Sequence, residues 1–211
     1  MVFWYSSDSE IALMHSIVVL VRHGVSSPYR KGEQAVPGPS LSREGKRQAR
    51  MTAQYLREYA YHAIFTSTMR RAQETAGEIN AFHRKRIRVV PEFAEYDDAI
   101  FEECGQDFEE DETCLFLERR VRASQRAFQK ILTAHEGKRM LIVAHGNVLR
   151  GIVGLLLGFP MRRIPDFNFF PCSITSFSLT GGTVTGIYHV NSVDHYRGTV
   201  AFRDRFDKGI V

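Results

Sequence analysis

Apolar residues fall along the chain in two alternating rhythms. Short runs rich in β-branched and aliphatic residues, at Ser16 to Val21, Ala63 to Thr66, Arg86 to Val90 and Met140 to Ala144, predict buried strands. Longer stretches with apolar positions at helical spacing lie between and after them. Leu41 to Tyr59, Met69 to Phe82, Thr113 to His135 and Val148 to Leu157 predict helices. Ser42 is placed to cap the first, Gly137 to close the third, and Gly158 with Pro160 to close the fourth. Gly24 to Pro39 reads as loop, and Pro91 to Glu112 as irregular and acidic. Ser173 to Leu179 and Thr183 to Val190, split by Gly181-Gly182, predict a hairpin. Strands alternating with helices predict an α/β three-layer sandwich with a mostly parallel central sheet, helices on both faces and the last strand pair at an edge. In such sheets, sites gather at the carboxyl ends of the strands.

No repeat, low-complexity tract or linker divides the chain, so one domain over residues 1–211 is expected. Within it, residues 1–13 are expected to be a poorly ordered extension and 92–112 an acidic flap. With 211 residues, 44% of them hydrophobic and 25% charged, the chain can bury a core without staples. Cys104, Cys114 and Cys172 are odd in number and scattered. They predict neither a disulfide framework nor a CxxC metal site, and a reducing cytoplasm is the expected compartment. No run approaches the roughly 20 apolar residues of a membrane span. The nearest, Ile11 to Val21, has an acidic flank without Lys or Arg, which does not suit a signal peptide.

The formal charge is +4, too mild to indicate nucleic acid. That value averages two unlike regions. Glu92 to Glu112 holds 11 acidic residues and no Lys or Arg, whereas the remainder of the chain is strongly basic. Neither a P-loop nor a dinucleotide-binding glycine pattern occurs, so no cofactor is expected. His15, His62, His83, His135, His189 and His195 show no metal-ligand spacing and read as structural or surface residues, with His195 set apart by the motif it ends. No metal is expected.

Two histidines stand where a strand stops beside a glycine: Arg22-His23-Gly24 after the first strand, and His145-Gly146-Asn147 after the fourth. Ser67 to Ala72 carries Arg70 and Arg71 at a third strand-to-helix junction. Two imidazoles and two or three cations at neighbouring strand ends indicate an anion pocket, most naturally for phosphate.

Over most of its length the sequence resembles the histidine phosphatase superfamily, also called the phosphoglycerate mutase-like family. Leu20-Val21-Arg22-His23-Gly24 is similar to that family's L-V-R-H-G signature. Leu41 to Gly45 with Gln48-Ala49, STMRRAQETA from Ser67, Glu112 with Arg120-Val121, Ala144-His145-Gly146 and Asn191 to His195 resemble further motifs in the family's order. The resemblance implies that His23 is a nucleophile forming a phosphohistidine, its other ring N–H held by a backbone carbonyl. Arg22, Arg71 and His145 would bind phosphate oxygens, Arg71 rather than Arg70 being selected by the motif. Gly146 and Asn147 would add backbone amides and Ser26 a hydroxyl. The family's proton donor follows a Pro after the third strand, which points to Glu95, with Glu92, Asp97 and Asp98 as alternatives. The sequence departs from the family after both of these motifs, with Val25 to Tyr29 and Tyr96 to Ile100 replacing its usual residues.

The implied activity is metal-independent hydrolysis of a small phosphorylated metabolite, with no nucleic-acid or membrane partner. Glu95 and His145 lie 50 positions apart, without the long insertion of the mutases. A cofactor-dependent phosphoglycerate mutase and a catalytically silent phospho-ligand-binding member are the alternative readings.

Overall fold

The structure, a computed structural model, describes residues 15–29, 37–96, 112–161, 164 and 168–196. The expected extension 1–13 and most of the acidic stretch 92–112 lie outside the described residues. In chain order the elements are β1 (Ser16–Arg22), α1 (Arg43–Leu56), β2 (Ala63–Thr66), α2 (Arg70–His83) and β3 (Ile87–Val89). After a 3-10 turn at Pro91–Phe93 come α3 (Glu112–Ala134), β4 (Arg139–Ala144), α4 (Gly146–Leu156), β5 (Ile174–Thr180), β6 (Thr183–Ser192) and a second 3-10 turn, Asp194–Tyr196.

The strands form one six-stranded sheet in the order β3-β2-β4-β1-β5-β6. β4 runs parallel to both β1 and β2, and β2 parallel to β3. β5 is antiparallel to β1 and to β6, so the hairpin occupies one edge as expected. The order places the carboxyl ends of β2, β4 and β1 side by side.

Period-two alternation sorts the strand side chains between two cores. Val18 and Leu20 of β1, with Met140 and Ile142 of β4, pack against Leu117, Val121 and Phe128 of α3 and Val148, Leu149 and Ile152 of α4. Val19, Val21, Leu141 and Val143 face the other way, onto Ala53 and Leu56 of α1 and Ala76 and Ile79 of α2. Each fully buried Leu or Ile contributes about 1.5–3 kcal/mol by leaving water. Both faces are therefore covered, which is why the strands read as near-continuous apolar runs.

Helix ends follow local chemistry. Ser42 caps α1, its Oγ accepting from Gly45 N at 3.0 Å. Such a cap is worth about 1 kcal/mol. α4 starts at Gly146, two residues ahead of the predicted Val148. Gly and Asn are poor helix formers and give no apolar signal, so periodicity hides that first turn. The structure also corrects the sequence reading of the cysteines. Cys114 is disulfide-bonded, and Cys172 is free and buried. No helix among the described residues is long and apolar enough to cross a membrane.

Candidate active site

β1 delivers Arg22 and His23 into a loop whose backbone is paired almost atom by atom. His23 N donates to Ala144 O at 2.9 Å, tying the loop to the end of β4. Gly24 N donates to Thr75 Oγ1 and Val25 N to Gln48 Oε1, both at 3.1 Å. Cys172 N donates to Arg22 O at 2.9 Å and to His23 O at 3.3 Å. Two glycines are required by space here. A Cβ on Gly24 would stand 2.6 Å from Gly45 O, and one on Gly45 only 2.0 Å from Val25 O. The loop thus rests directly on the first turn of α1.

The partners of His23 set its tautomer. Nδ1 lies 2.7 Å from Gly24 O, and a carbonyl only accepts, so Nδ1 carries the proton. Nε2 is then a bare lone pair, and it accepts from Arg71 Nε at 3.0 Å. The ring is 6% exposed. Burial, and next the charges of Arg22 and Arg71, hold its pKa well below the usual 6.5, against the smaller opposing pull of the Gly24 carbonyl. The result is an imidazole kept neutral in the nucleophilic form.

His145 stands across from it, ring centres 4.9 Å apart. Ser67 Oγ accepts from Met69 N at 3.1 Å and pairs with His145 Nε2 at 2.6 Å. The other ring nitrogen of His145, Nδ1, is buried and has no partner. Burial, followed by His23, Arg71 and Arg22, keeps this ring neutral as well.

The two motif arginines separate cleanly. Arg70 is exposed, whereas Arg71 is buried and its NH1 has no hydrogen-bond partner. Arg22 donates through NH1 to Phe169 O. Its guanidinium carbon lies 3.7 Å from where a Gly146 side chain would begin, so it rests against the first turn of α4. The amide ends of that helix at Gly146 and Asn147 add positive potential. Arg71 NH1 and His145 Nδ1 are buried and unpaired beside a helix N-terminus, an arrangement suited to an oxyanion.

Glu95 is half-buried between the two other site segments. Its N–H donates to Met69 Sδ at 3.3 Å, at the head of α2. The next residue clasps the head of α4. Tyr96 Oη donates to Asn147 O, and Asn147 Nδ2 donates to Tyr96 O, each at 3.1 Å. Arg120 of α3 donates to Ala94 O at 3.3 Å and lies over the Tyr96 ring. The Asn147 side chain is thus committed to this clasp, and only its backbone is available to an anion. Glu92 is exposed and lies alongside Ala123, Arg126 and Lys130 of α3. Asp97 and Asp98 lie outside the described residues. Ser26 sits half-buried in the loop after β1, bridged through its backbone to Leu41. Among the described residues no cluster of His, Cys, Asp and Glu could hold a metal ion.

His195, marked in the sequence by the motif it ends, lies beneath the site. Its Nε2 pairs with Thr52 Oγ1 at 2.9 Å, and Cys172 supplies a backbone bond. Burial lowers its pKa from 6.5 to about 4. All three histidines therefore bind protons more weakly when folded than the usual 6.5. Below about pH 6.5 the unfolded chain takes up protons that the folded chain refuses, so stability falls with pH in that range and is unaffected above it. Melting temperature is expected to drop from pH 6.5 toward 4, with a shallower drop in His195→Gln; parallel slopes would remove His195 from the account.

Sequence reasoning missed Ser67 as the partner of His145, although it opens the STMRRAQETA segment. It also missed Thr75, Gln48, Tyr96 and Arg120. Ser67, Thr75, Gln48 and Arg120 lie in quoted motifs, but the partners of the first three are 23 to 78 positions away.

Comparison with known proteins identifies relatives of the chain. The sequence profile of the histidine phosphatase superfamily (branch 1) matches residues 18–191. The uncharacterized phosphatase PhoE of Bacillus subtilis is 30% identical over 154 residues, covering 67% of this chain and 77% of that protein. A Yersinia enterocolitica protein named "Probable phosphoglycerate mutase GpmB" is 27% identical over 183 residues, covering 75% and 82%. The solved structure of Bacillus stearothermophilus YhfR shares the fold, with a TM-score of 0.69, 21% identity and coverage of 85% of this chain and 98% of that one.

Proposed function

The chain belongs to the histidine phosphatase superfamily, and from that premise we propose that it hydrolyses a small phosphorylated metabolite, without metal, through a phosphohistidine at His23. The observation that carries the reading is the His23 ring. It is buried, neutral and anchored at Nδ1, with its Nε2 lone pair held by Arg71 and the His145 ring, whose Nδ1 is unpaired, 4.9 Å away between ring centres.

Phosphate entering the pocket draws the Arg71 guanidinium onto its oxygens and releases the lone pair. Nε2 then attacks phosphorus in line, an N–P bond forms and the ester P–O bond breaks. Glu95 gives its proton to the leaving oxygen. Arg22, Arg71, His145 Nδ1–H and the amides of Gly146 and Asn147 stabilise the equatorial oxygens. Water next attacks the phosphohistidine, Glu95 takes its proton, and inorganic phosphate leaves with His23 restored. Hydrolysis is favoured over phosphoryl retention because the short interval from Glu95 to His145 contains no long insertion to keep water out.

The test is turnover of p-nitrophenyl phosphate, undiminished by a chelator, together with release of phosphate from 3-phosphoglycerate in preference to its isomerisation when 2,3-bisphosphoglycerate is added. No turnover of any phosphomonoester from pH 5 to 8 would exclude the hydrolase. Isomerisation faster than phosphate release would make it a mutase.

A further inference from the structure

We propose that a tyrosine-walled cavity on the α1 side of β1, separate from the residues around His23, binds a small planar aromatic carboxylate. The cavity measures about 280 Å³ and opens beside the start of β1 and β4, where Ile17 and Arg139 stand. Its wall includes Tyr55, Tyr59, Tyr61 and Tyr188, and no Asp or Glu.

Three observations give it a ligand chemistry. First, Tyr61 is 2% exposed and its hydroxyl has no hydrogen-bond partner. A buried phenol left unpaired costs about 1–3 kcal/mol, so an acceptor entering the cavity would relieve a real penalty. Second, Arg139 lies over the Tyr59 ring, 5.5 Å from guanidinium carbon to ring centre, and has no ion pair among the described residues. Arg139 and Tyr61 both line the cavity. Third, the far wall is already fixed. Tyr55 Oη pairs with His189 Nε2 at 3.2 Å, and His189 Nδ1 with Ser176 Oγ at 2.8 Å.

A carboxylate matches the guanidinium and accepts from the phenol. The tyrosine faces suit a flat ring in offset or edge contact. The volume lies at the small end for ligand pockets, which limits the ring system to one or two fused rings. None of these residues belongs to the phosphate pocket, so the site is independent of the hydrolase reading.

The experiment is calorimetric and saturation-transfer titration of the full chain with benzoate, 4-hydroxybenzoate and indole-3-carboxylate, using orthovanadate to fill the phosphate pocket. Benzamide and cyclohexanecarboxylate serve as uncharged and non-planar controls. At least one aromatic acid is expected to bind with vanadate present and to outcompete both controls. Arg139→Gln is expected to weaken it about tenfold, the loss of one charge-assisted pair. Tyr61→Phe is expected to weaken it several-fold while melting no lower than the parent, and both variants should keep their p-nitrophenyl phosphate turnover. The proposal is overturned by any of three results: no aromatic acid binds, vanadate displaces it, or binding survives both substitutions unchanged.

Discussion

His23→Ala is expected to lower phosphomonoester turnover by about 10⁴-fold or more, the scale seen when a covalent nucleophile is removed. The loss falls on the chemical step, because the cradle survives. Arg22, Arg71 and His145 hang from three separate elements; Arg22 keeps Phe169 O and His145 keeps Ser67 Oγ, while Arg71, whose Nε loses the His23 ring, is buried in the first turn of α2. The ring is neutral, so its removal leaves no buried charge without a counterpart. Only the Gly24 carbonyl and Arg71 Nε lose a partner, and both can reach water or bound phosphate. Orthovanadate affinity should therefore hold within a few-fold while kcat collapses. Acid-labile, alkali-stable labelling from radiolabelled substrate, trapped by an alkaline denaturing quench, should appear in the parent and vanish in the variant. Turnover within tenfold of the parent would remove His23 from the nucleophile's place.

Glu95→Gln should produce the second-largest effect, and the leaving group should decide its size. An alkyl phosphate expels a strongly basic alkoxide that needs a proton in the transition state, so kcat should fall about 10²–10⁴-fold. p-Nitrophenolate departs without help, and that substrate should lose far less at the first step. Labelled phosphoenzyme should then build up, because the glutamine cannot take the proton from water. Equal losses on both substrates would mean that Glu95 acts in binding or folding. The Tyr96–Asn147 clasp makes the substitution structurally mild, since the loop is held through Tyr96 and Ala94.

Much of the site was legible because its key groups cluster in short segments. Arg22-His23-Gly24 and His145-Gly146 each sit at a strand end, and strands announce themselves through runs such as Val18 to Val21. The choice of Arg71 over Arg70 rested on motif position, and burial agrees with it. What stayed hidden depends on partners distant in sequence. The Ser67–His145 bond orients the second imidazole, but no local pattern places those two residues together. Asn147 was read as a backbone contact for the anion, and the bond of its side chain to Tyr96, 51 positions away, had no local signal. Cys114 shows the same limit, for a count of thiols says nothing of which ones meet.

The sheet order also dictates when the pocket can exist as the chain is made. Arg22, His23 and Arg71 leave the ribosome early, but their strands β1 and β2 are not neighbours; β4 lies between them. Until the residues from Arg139 onward emerge, no strand bridges the two, and no second imidazole stands opposite His23. β4 brings the middle of the sheet and His145 in one step, so core closure and pocket assembly are a single late event. Such non-local pairing folds slowly and leaves apolar strand edges open meanwhile. A nascent chain stalled short of β4 would thus be both inactive and prone to aggregate.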